Sequence, residues 1–136
     1  MTGAHTDVVD REETLVMGIR TTDDLHAIRS AWERLEEIVP LRGRKFFAAV
    51  DTSASDYLAC VQLRDDDDPA ALGLEATTLP GGRYLRARLH GEPPELYDQI
   101  RPAFDAMVEQ TDPDNSRPSI EFYRRRDEVD VLIPVA

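Results

Sequence analysis

The segment GRYLRARLHG, residues 82–91, alternates apolar and polar side chains as a β-strand does. Its leucines and its alanine fall on one face, and Tyr84 falls on the other face with two arginines. Pro93 and Pro94 follow, and they suit the first turn of a helix, where the missing N–H has no partner to lose. Apolar residues then recur at helical spacing around Pro102, which predicts a kink or a late helix start. The segment therefore predicts a strand that leads into a helix.

Two further strands complete this half of the chain. The runs SIEFYRRR and VDVLIPV, residues 119–126 and 129–135, are rich in β-branched and aromatic side chains. A polar break at residues 111–118 separates them from the helix. The second half therefore has the element order β-α-β-β.

The first half repeats this order. A strand-like run at residues 14–21 precedes an amphipathic helix, whose apolar stripe ends before Pro40. Two more strands are predicted at residues 44–51 and 57–63. Gly18 lies inside the first run and indicates either a bulge or a close approach of two backbones.

The two βαββ repeats, about residues 14–64 and 72–136, predict an α+β fold with pseudo-two-fold symmetry. We expect an antiparallel sheet with the helices on one side and a ligand cradle on the other. Residues 1–13 are polar and aperiodic, and they predict a flexible N-terminal arm.

Charge and composition narrow the class of partner. The chain of 136 residues has a formal net charge of -11, which disfavours binding to phosphate backbones. Its single cysteine, Cys60, makes no internal disulfide and fits a reducing compartment. No apolar run approaches the roughly 20 residues that cross a bilayer, and the first residues lack the apolar core of a secretion signal. We therefore expect a cytoplasmic protein that binds neither nucleic acid nor membrane.

The sequence lacks the usual motifs for metal and cofactor chemistry. His5, His26 and His90 have no ligand spacing, and neither a Gly-rich phosphate loop nor a paired-cysteine motif occurs. Consecutive aspartates at residues 65–68 suit a solvated turn better than a calcium loop, because the ligand spacing of an EF-hand is absent. We expect no metal and no cofactor.

Short motifs in the chain resemble the GyrI-like family, also called the AraC-type effector-binding domain. The first motif is a turn that leads into a strand ending in His-Gly: Leu79, Pro80, Gly82, Tyr84, His90 and Gly91. The second motif lies near the C-terminus: Pro118, Glu121, Tyr123, Ile133, Pro134 and Val135. Residues 43–63 are similar to the family's middle strands, so the resemblance covers about residues 14–136.

The resemblance implies a cradle of two βαββ units that binds bulky, apolar and often cationic compounds. Members of the family occur as regulator domains, as gyrase-inhibitory proteins and as free-standing drug-binding proteins. A subset resembles hydrolases of reactive cyclopropane-bearing compounds, which use an acidic residue among aromatic side chains. Pro102 departs from the family's pattern for the second helix.

Glu121 is the strongest candidate for a functional side chain. Strand alternation places it on one face with Tyr123 and opposite Ile120 and Phe122. If Ile120 and Phe122 pack on the helices, the carboxylate and the phenol point into the cradle. The carboxylate would attract a delocalised cation there, or act as the catalytic acid or base if the protein is an enzyme. The alternative is a structural carboxylate that is hydrogen-bonded or faces solvent.

Three further side chains are candidates for the pocket wall. Tyr84 and Arg86 share one face of their strand, and Tyr57 alternates with apolar neighbours on another strand. Tyr84 has an alternative position at the pocket rim, and Arg86 has an alternative role as the partner of a carboxylate. Trp32 falls on the apolar stripe of the first helix, which is more typical of a core residue than of a ligand contact.

Three classes of function fit these observations. The leading hypothesis is a binding module that holds a hydrophobic small molecule, a drug or xenobiotic, against a central carboxylate. The second is a hydrolase of reactive xenobiotics that uses the same carboxylate, Glu121, as its catalytic group. The third is an inhibitor or partner of a larger enzyme, which a long exposed apolar patch would favour.

Overall fold

The computed structural model describes residues 5–40 and 43–136. Over these residues the chain forms one eight-stranded antiparallel sheet and four helices. The strands are β1 (Thr6–Arg11), β2 (Thr14–Thr22), β3 (Phe46–Asp51), β4 (Asp56–Gln62), β5 (Glu75–Leu79), β6 (Gly82–His90), β7 (Ser119–Arg125) and β8 (Glu128–Pro134). The helices are α1 (Leu25–Ile38), α2 (Pro69–Leu72), α3 (Glu95–Asp98) and α4 (Ile100–Gln110). The predicted α+β class is confirmed.

The strand order shows the internal symmetry of the sheet. The strands lie side by side in the order β1-β6-β8-β7-β3-β4-β2-β5. If each strand of the first half is replaced by its equivalent in the second half, the same order results, read from the other edge of the sheet. This is the pseudo-two-fold symmetry that the repeated elements predict. The axis passes between β3 and β7, which pair from Phe46 opposite Tyr123 to Val50 opposite Ser119. The two repeats therefore meet at the centre of the sheet.

The expectation of a flexible N-terminal arm is wrong for β1. Thr6–Arg11 pairs along its whole length with β6, and Arg86 of β6 donates to Asp7 at 2.6 Å. Val9 packs against the core on the sheet face that lies away from the helices. The segment TDVVDR is short and mostly polar, so its sequence alone does not predict a strand. It becomes a strand because it pairs with β6, which is remote in sequence. Residues 1–4 of the predicted arm lie outside the described residues.

One more strand precedes each βαββ repeat, β1 in the first half and β5 in the second, and the two repeats exchange these strands. β1 and β2 are consecutive in the chain, yet β1 pairs with β6 and β2 pairs with β5. The β1–β2 and β5–β6 connections pass each other closely at Gly81, where an added Cβ would lie 2.9 Å from the carbonyl oxygen of Arg11. The exchange ties both repeats into one continuous sheet.

Helices α1 and α4 lie on the same face of the sheet. α1 packs mainly on β2 and β4 with Leu35 in the core, and α4 packs mainly on β6 and β8 through Met107. The opposite face has its own core, which includes Phe47, Leu58 and Tyr84. The central strands β3 and β7 consequently lie between the two helices.

The helix ends follow from local sequence. Asp24 caps α1 by accepting the N–H of Ala27 at 2.9 Å. The helical segment after Pro94 is interrupted at Gln99, and α4 begins after this break. Pro102 lies in the first turn of α4, where backbone N–H groups make no hydrogen bond within the helix, so a proline is tolerated there. In the part of the chain that the structure describes, no helix has both the length and the apolar character needed to cross a bilayer.

Gly18→Ala is expected to destabilise the fold by about 1–3 kcal/mol, the usual cost of forcing extra volume into a packed site. An added Cβ would lie 2.0 Å from the carbonyl oxygen of Ala59 and 2.7 Å from the Cα of Cys60, both on the paired strand β4. Of the two interpretations of Gly18, the structure thus supports the close backbone approach. Chemical unfolding of the variant and the wild type measures the change, and identical midpoints would contradict this packing.

Candidate functional site

A cavity of about 760 Å³ opens between α1 and α4 on the helix-bearing face of the sheet. Residues of β3, β4 and β7 form its floor, and residues of α1, α3 and α4 form its walls. Its aromatic lining residues are Trp32, Phe46, Tyr57, Tyr97, Phe104 and Tyr123. A volume of this size with an aromatic lining is typical of pockets for drug-sized molecules.

The cavity lies on the helical face, whereas the sequence predicts a cradle on the opposite face. The opposite face is filled by side chains of the sheet itself, and Phe47, Tyr84, Ile120 and Leu132 are each at most 1% exposed there. On the helical face, α1 and α4 each cover strands of their own repeat and leave the middle of β3 and β7 open. The separation of the two helices therefore creates the cavity.

Glu121 lies at the centre of the cavity floor. It sits on β7 between Ala48 of β3 and Val131 of β8. Strand alternation places its side chain on the same face as that of Tyr123, and both residues are partly accessible and line the cavity. Ile120 packs on the face away from the helices, which is the reverse of the packing expected from the sequence.

A chain of hydrogen bonds ends at Glu121. The indole Nε1–H of Trp32 donates to Tyr57 Oη at 3.0 Å, and Tyr57 Oη lies 3.3 Å from Tyr123 Oη. The hydroxyl of Tyr123 donates to Glu121 Oε1. Because Trp32 is on α1 and the other residues are on β4 and β7, the chain joins a wall of the cavity to its floor.

Burial raises the pKa of Glu121 to about 7, because the carboxylate loses water at the bottom of the cavity. The negative charge of Asp23 adds to this rise in pKa. The hydrogen bond from Tyr123, the Arg101 guanidinium and the Tyr57 hydroxyl lower the pKa and so oppose it. Burial also raises the pKa of Tyr57 and of Tyr123, so both phenols remain protonated donors at neutral pH. The carboxyl of Glu121 is therefore the group on the floor that changes charge near neutral pH.

Aromatic rings surround the pair formed by Glu121 and Tyr123. Trp32 meets Tyr123 edge-to-face at a centroid distance of 5.4 Å, and Phe46 stacks on Tyr123 at 6.0 Å. Tyr97 approaches Tyr123 from α3 at 6.3 Å and is 47% exposed. A carboxylate among aromatic rings attracts organic cations both by its charge and by cation–π interaction.

The charged residues that line the cavity are mostly acidic. The carboxylates are Asp23, Glu33, Glu36, Asp98 and Glu121, and the guanidinium groups are those of Arg29 and Arg101. When Glu121 is ionised, this set has an excess of negative charge. The local field therefore agrees in sign with the net charge of -11 on the whole chain and favours cations over anions.

Tyr84 and Arg86 lie on the face of the sheet opposite the cavity. Tyr84 is fully buried there, donates to the carbonyl oxygen of Pro80 at 2.6 Å, and lies with its ring 4.8 Å from the guanidinium of Arg117. Arg86 forms a bidentate ion pair with Asp7, in which two guanidinium N–H groups donate to the carboxylate at 3.1 and 2.6 Å. Tyr84 and Arg86 therefore stabilise the fold. The other predicted ligand-binding residues, Glu121, Tyr123 and Tyr57, all line the cavity.

Sequence reasoning missed much of the cavity wall. The helical stripe of α1 predicts a core position for Trp32, whereas the structure places Trp32 at the cavity and in the hydrogen-bond chain. Phe46, Tyr97 and Phe104 look in the sequence like ordinary apolar residues of a strand or a helix. No local spacing distinguishes them, because the gap between α1 and α4 is a tertiary feature.

The one cysteine is not part of the cavity. Cys60 is fully buried on the opposite face, burial raises the pKa of its thiol, and its Sγ lies 3.4 Å from the carbonyl oxygen of Phe47. The thiol therefore stays protonated at neutral pH. Among residues 5–40 and 43–136, no group of three or more His, Cys, Asp or Glu side chains is arranged to hold a metal ion.

Comparison with known proteins gives matches among solved structures. No protein-family model matches the sequence, and no curated protein matches it significantly. The integron cassette protein VCH_CASS2 from the mobile metagenome of Vibrio cholerae has a TM-score of 0.76 at 19% identity, covering 96% of this chain and 95% of that one. SAV2435 bound to tetraphenylphosphonium has a TM-score of 0.71 at 16% identity, covering 97% and 94%. A hydrolase from Listeria innocua has a TM-score of 0.62 at 11% identity, covering 100% and 94%.

These similarities confirm the fold that the sequence motifs predict. The chain has the GyrI-like fold: an open antiparallel sheet with two repeats, and helices on one face that border a cavity. At identities of 11–19% the shared property is the fold. The function must therefore be argued from the chemistry of the cavity.

Proposed function

We propose that this protein binds a bulky, apolar organic cation in the cavity between α1 and α4. The observation that carries the proposal is the Glu121 carboxylate on an aromatic floor. A carboxylate that has lost water is unfavourable unless a partner compensates for the lost hydration. An organic cation supplies this compensation, and its apolar groups fit the surrounding rings.

The size and charge of the cavity support the same ligand class. A volume of about 760 Å³ accommodates a drug-sized molecule. The acidic wall residues attract a cation before it reaches the floor. SAV2435, which has the same fold, was solved with tetraphenylphosphonium, a compound whose positive charge is surrounded by four phenyl rings. That compound is therefore a suitable probe for this protein.

Tetraphenylphosphonium is expected to bind at least tenfold more tightly than tetraphenylborate at pH 8. The two ions have nearly the same size and shape, so their affinities differ mainly through the sign of the charge. At pH 8 most Glu121 carboxyls are ionised, since their pKa is about 7. Calorimetric titration of each ion into the wild-type protein measures the difference. Equal or reversed affinities would remove the electrostatic basis of the proposal.

Hydrolysis of a bound xenobiotic is a second candidate function. A carboxyl whose pKa is about 7 is well suited to transfer protons at neutral pH. Glu121 also has a hydrogen-bonded phenol, Tyr123, that would hold it in place beside a substrate. The Listeria innocua hydrolase shares the fold, which supports this candidate. A role as a protein-binding inhibitor stays a prediction.

A further inference from the structure

Three side chains form a relay that leads to Glu121. Trp32 of α1 donates to Tyr57 of β4 at 3.0 Å, and Tyr57 Oη lies 3.3 Å from Tyr123 Oη. Tyr123 O–H in turn contacts Glu121 Oε1. Tyr57 is 3% exposed, so its hydroxyl depends on these protein partners rather than on bulk water.

The two ends of the relay, Trp32 and Glu121, together set the direction of its hydrogen bonds. An indole N–H is a donor and has no acceptor, so Tyr57 Oη must accept the hydrogen bond from Trp32. Tyr57 therefore has its own proton free to donate to Tyr123. Tyr123 then has its proton free to donate to Glu121. Because Tyr123 donates its only proton to Glu121, Tyr57 must be the donor between the two phenols, and every hydrogen bond in the relay then points toward the carboxylate.

We propose that Trp32 is a positioning residue, whose indole N–H helps to orient both phenols toward Glu121 and so favours the ionised carboxylate for a cationic ligand. The inference rests on the proposed function for the identity of the ligand, whereas the orientation itself is a property of the ligand-free protein. The indole N–H occupies one lone pair of Tyr57 Oη and favours this direction, so its removal makes the reversed relay more favourable. In the reversed relay a protonated Glu121 donates to Tyr123, which donates to Tyr57, and the floor of the cavity is neutral.

The other charged groups around Glu121 do not depend on Trp32. Asp23, which precedes α1, raises the pKa of Glu121, and Arg101 on α4 lowers it. The remaining charged residues of the walls are Arg29, Glu33 and Glu36 on α1 and Asp98 on α3. All of them stay in place when the indole is exchanged for another ring, so a change in the titration of Glu121 would report the relay.

Trp32→Phe is the variant that isolates the indole N–H. It keeps an aromatic ring near Phe46 and Tyr123, which the indole contacts at centroid distances of 6.0 and 5.4 Å. Carbon-13 NMR of the side-chain carboxyl follows the titration of Glu121 in the ligand-free protein. We expect Trp32→Phe to increase the proton affinity of Glu121 about three- to tenfold, since the hydrogen bonds that favour the anion are weakened. An unchanged titration would overturn the proposal.

Further variants separate the relay from general packing. Tyr57→Phe removes the middle hydroxyl and is expected to shift the titration in the same direction; adding Trp32→Phe to this variant is expected to cause no further shift, because the indole acts through Tyr57. Trp32→Leu carries the test if Trp32→Phe does not fold. Met107→Leu alters the core beneath α4 and does not line the cavity, and it is expected to leave the titration within about twofold of wild type. A shift in Met107→Leu equal to that in Trp32→Phe would assign the effect to packing and overturn the proposal.

The ligand experiment is separate. Trp32→Phe is expected to weaken tetraphenylphosphonium binding more at pH 7 than at pH 9, because at pH 9 Glu121 is ionised even without full support from the relay. If the wild-type protein binds no tetraphenylphosphonium, the proposed function fails, and the carboxyl titration still decides the role of Trp32. If the cation binds but Trp32→Phe lowers its affinity equally at both pH values, Trp32 contributes only contact area and the positioning role is contradicted.

Discussion

Glu121→Gln is expected to weaken the binding of tetraphenylphosphonium about five- to 150-fold at pH 8, which corresponds to about 1–3 kcal/mol for a charge-assisted contact. The substitution preserves the shape of the side chain and an acceptor for the hydroxyl of Tyr123. It removes the negative charge from the floor of the cavity. Calorimetric titration of the variant and the wild type under identical conditions measures the loss.

The matched control is Glu36→Gln, which removes a carboxylate from the exposed part of the cavity wall. Its effect is expected to stay below about threefold, because an exposed charge is screened by water and salt. Equal losses in the two variants would mean that overall charge, rather than Glu121, attracts the ligand. A marked drop in the melting temperature of Glu121→Gln, with all ligands weakened together, would identify Glu121 as a structural residue.

The same variant distinguishes a binding protein from a hydrolase. If the protein only binds its ligand, neutral ligands should bind Glu121→Gln almost as well as wild type. If it is a hydrolase, kcat should collapse while KM for a neutral substrate changes little, because the lost interaction acts mainly in the transition state.

Glu121→Gln is also expected to make the protein more stable than wild type at pH 8, by up to about 3 kcal/mol. The pKa of Glu121 is about 7 in the folded protein, against a reference value of 4.5. Between these two values the folded state binds more protons than the unfolded state, so the wild type loses stability as the pH rises and reaches a plateau above pH 7. Glutamine stays neutral and does not have this loss.

Urea unfolding of both proteins at intervals from pH 4.5 to pH 8.5 measures the difference in the free energy of unfolding. The difference should grow in favour of Glu121→Gln between about pH 5 and pH 7 and then level off. Taking the difference between variant and wild type cancels the other titrating groups. Glu36→Gln again serves as the control for net charge. A difference that is constant with pH, or a parallel rise in both variants, would contradict the raised pKa of Glu121.

The positions of most strands, and the side chains that share a face within a strand, could be predicted because both follow from local periodicity. Alternation in SIEFY is sufficient to place Glu121 and Tyr123 on one face, since successive side chains of a strand point to opposite sides. The repeated order of elements likewise predicts the pseudo-two-fold sheet. These features need no knowledge of how distant parts of the chain meet.

Features that depend on distant parts of the chain could not be predicted in this way. Which face holds the cavity depends on where α1 and α4 leave the sheet uncovered, and no spacing within either helix encodes that gap. Alternation alone predicts that Tyr84 can line a pocket, but side chains of β1 and β5 and the guanidinium of Arg117 cover that face of the sheet. Likewise, the segment Thr6–Arg11 forms the strand β1 because it pairs with the side of β6 that β8 does not cover.

Occupation of the cavity by a cation is tested most directly by the fluorescence of Trp32, which is the single tryptophan of the chain and lines the cavity. Tetraphenylphosphonium titrated into the wild-type protein at pH 8 should change the emission of Trp32 saturably, with the Kd that calorimetry gives for the same sample. Glu121→Gln should move both curves to higher concentration together. Heat of binding without any change in the emission of Trp32 would place the ligand outside the cavity and contradict the proposed site.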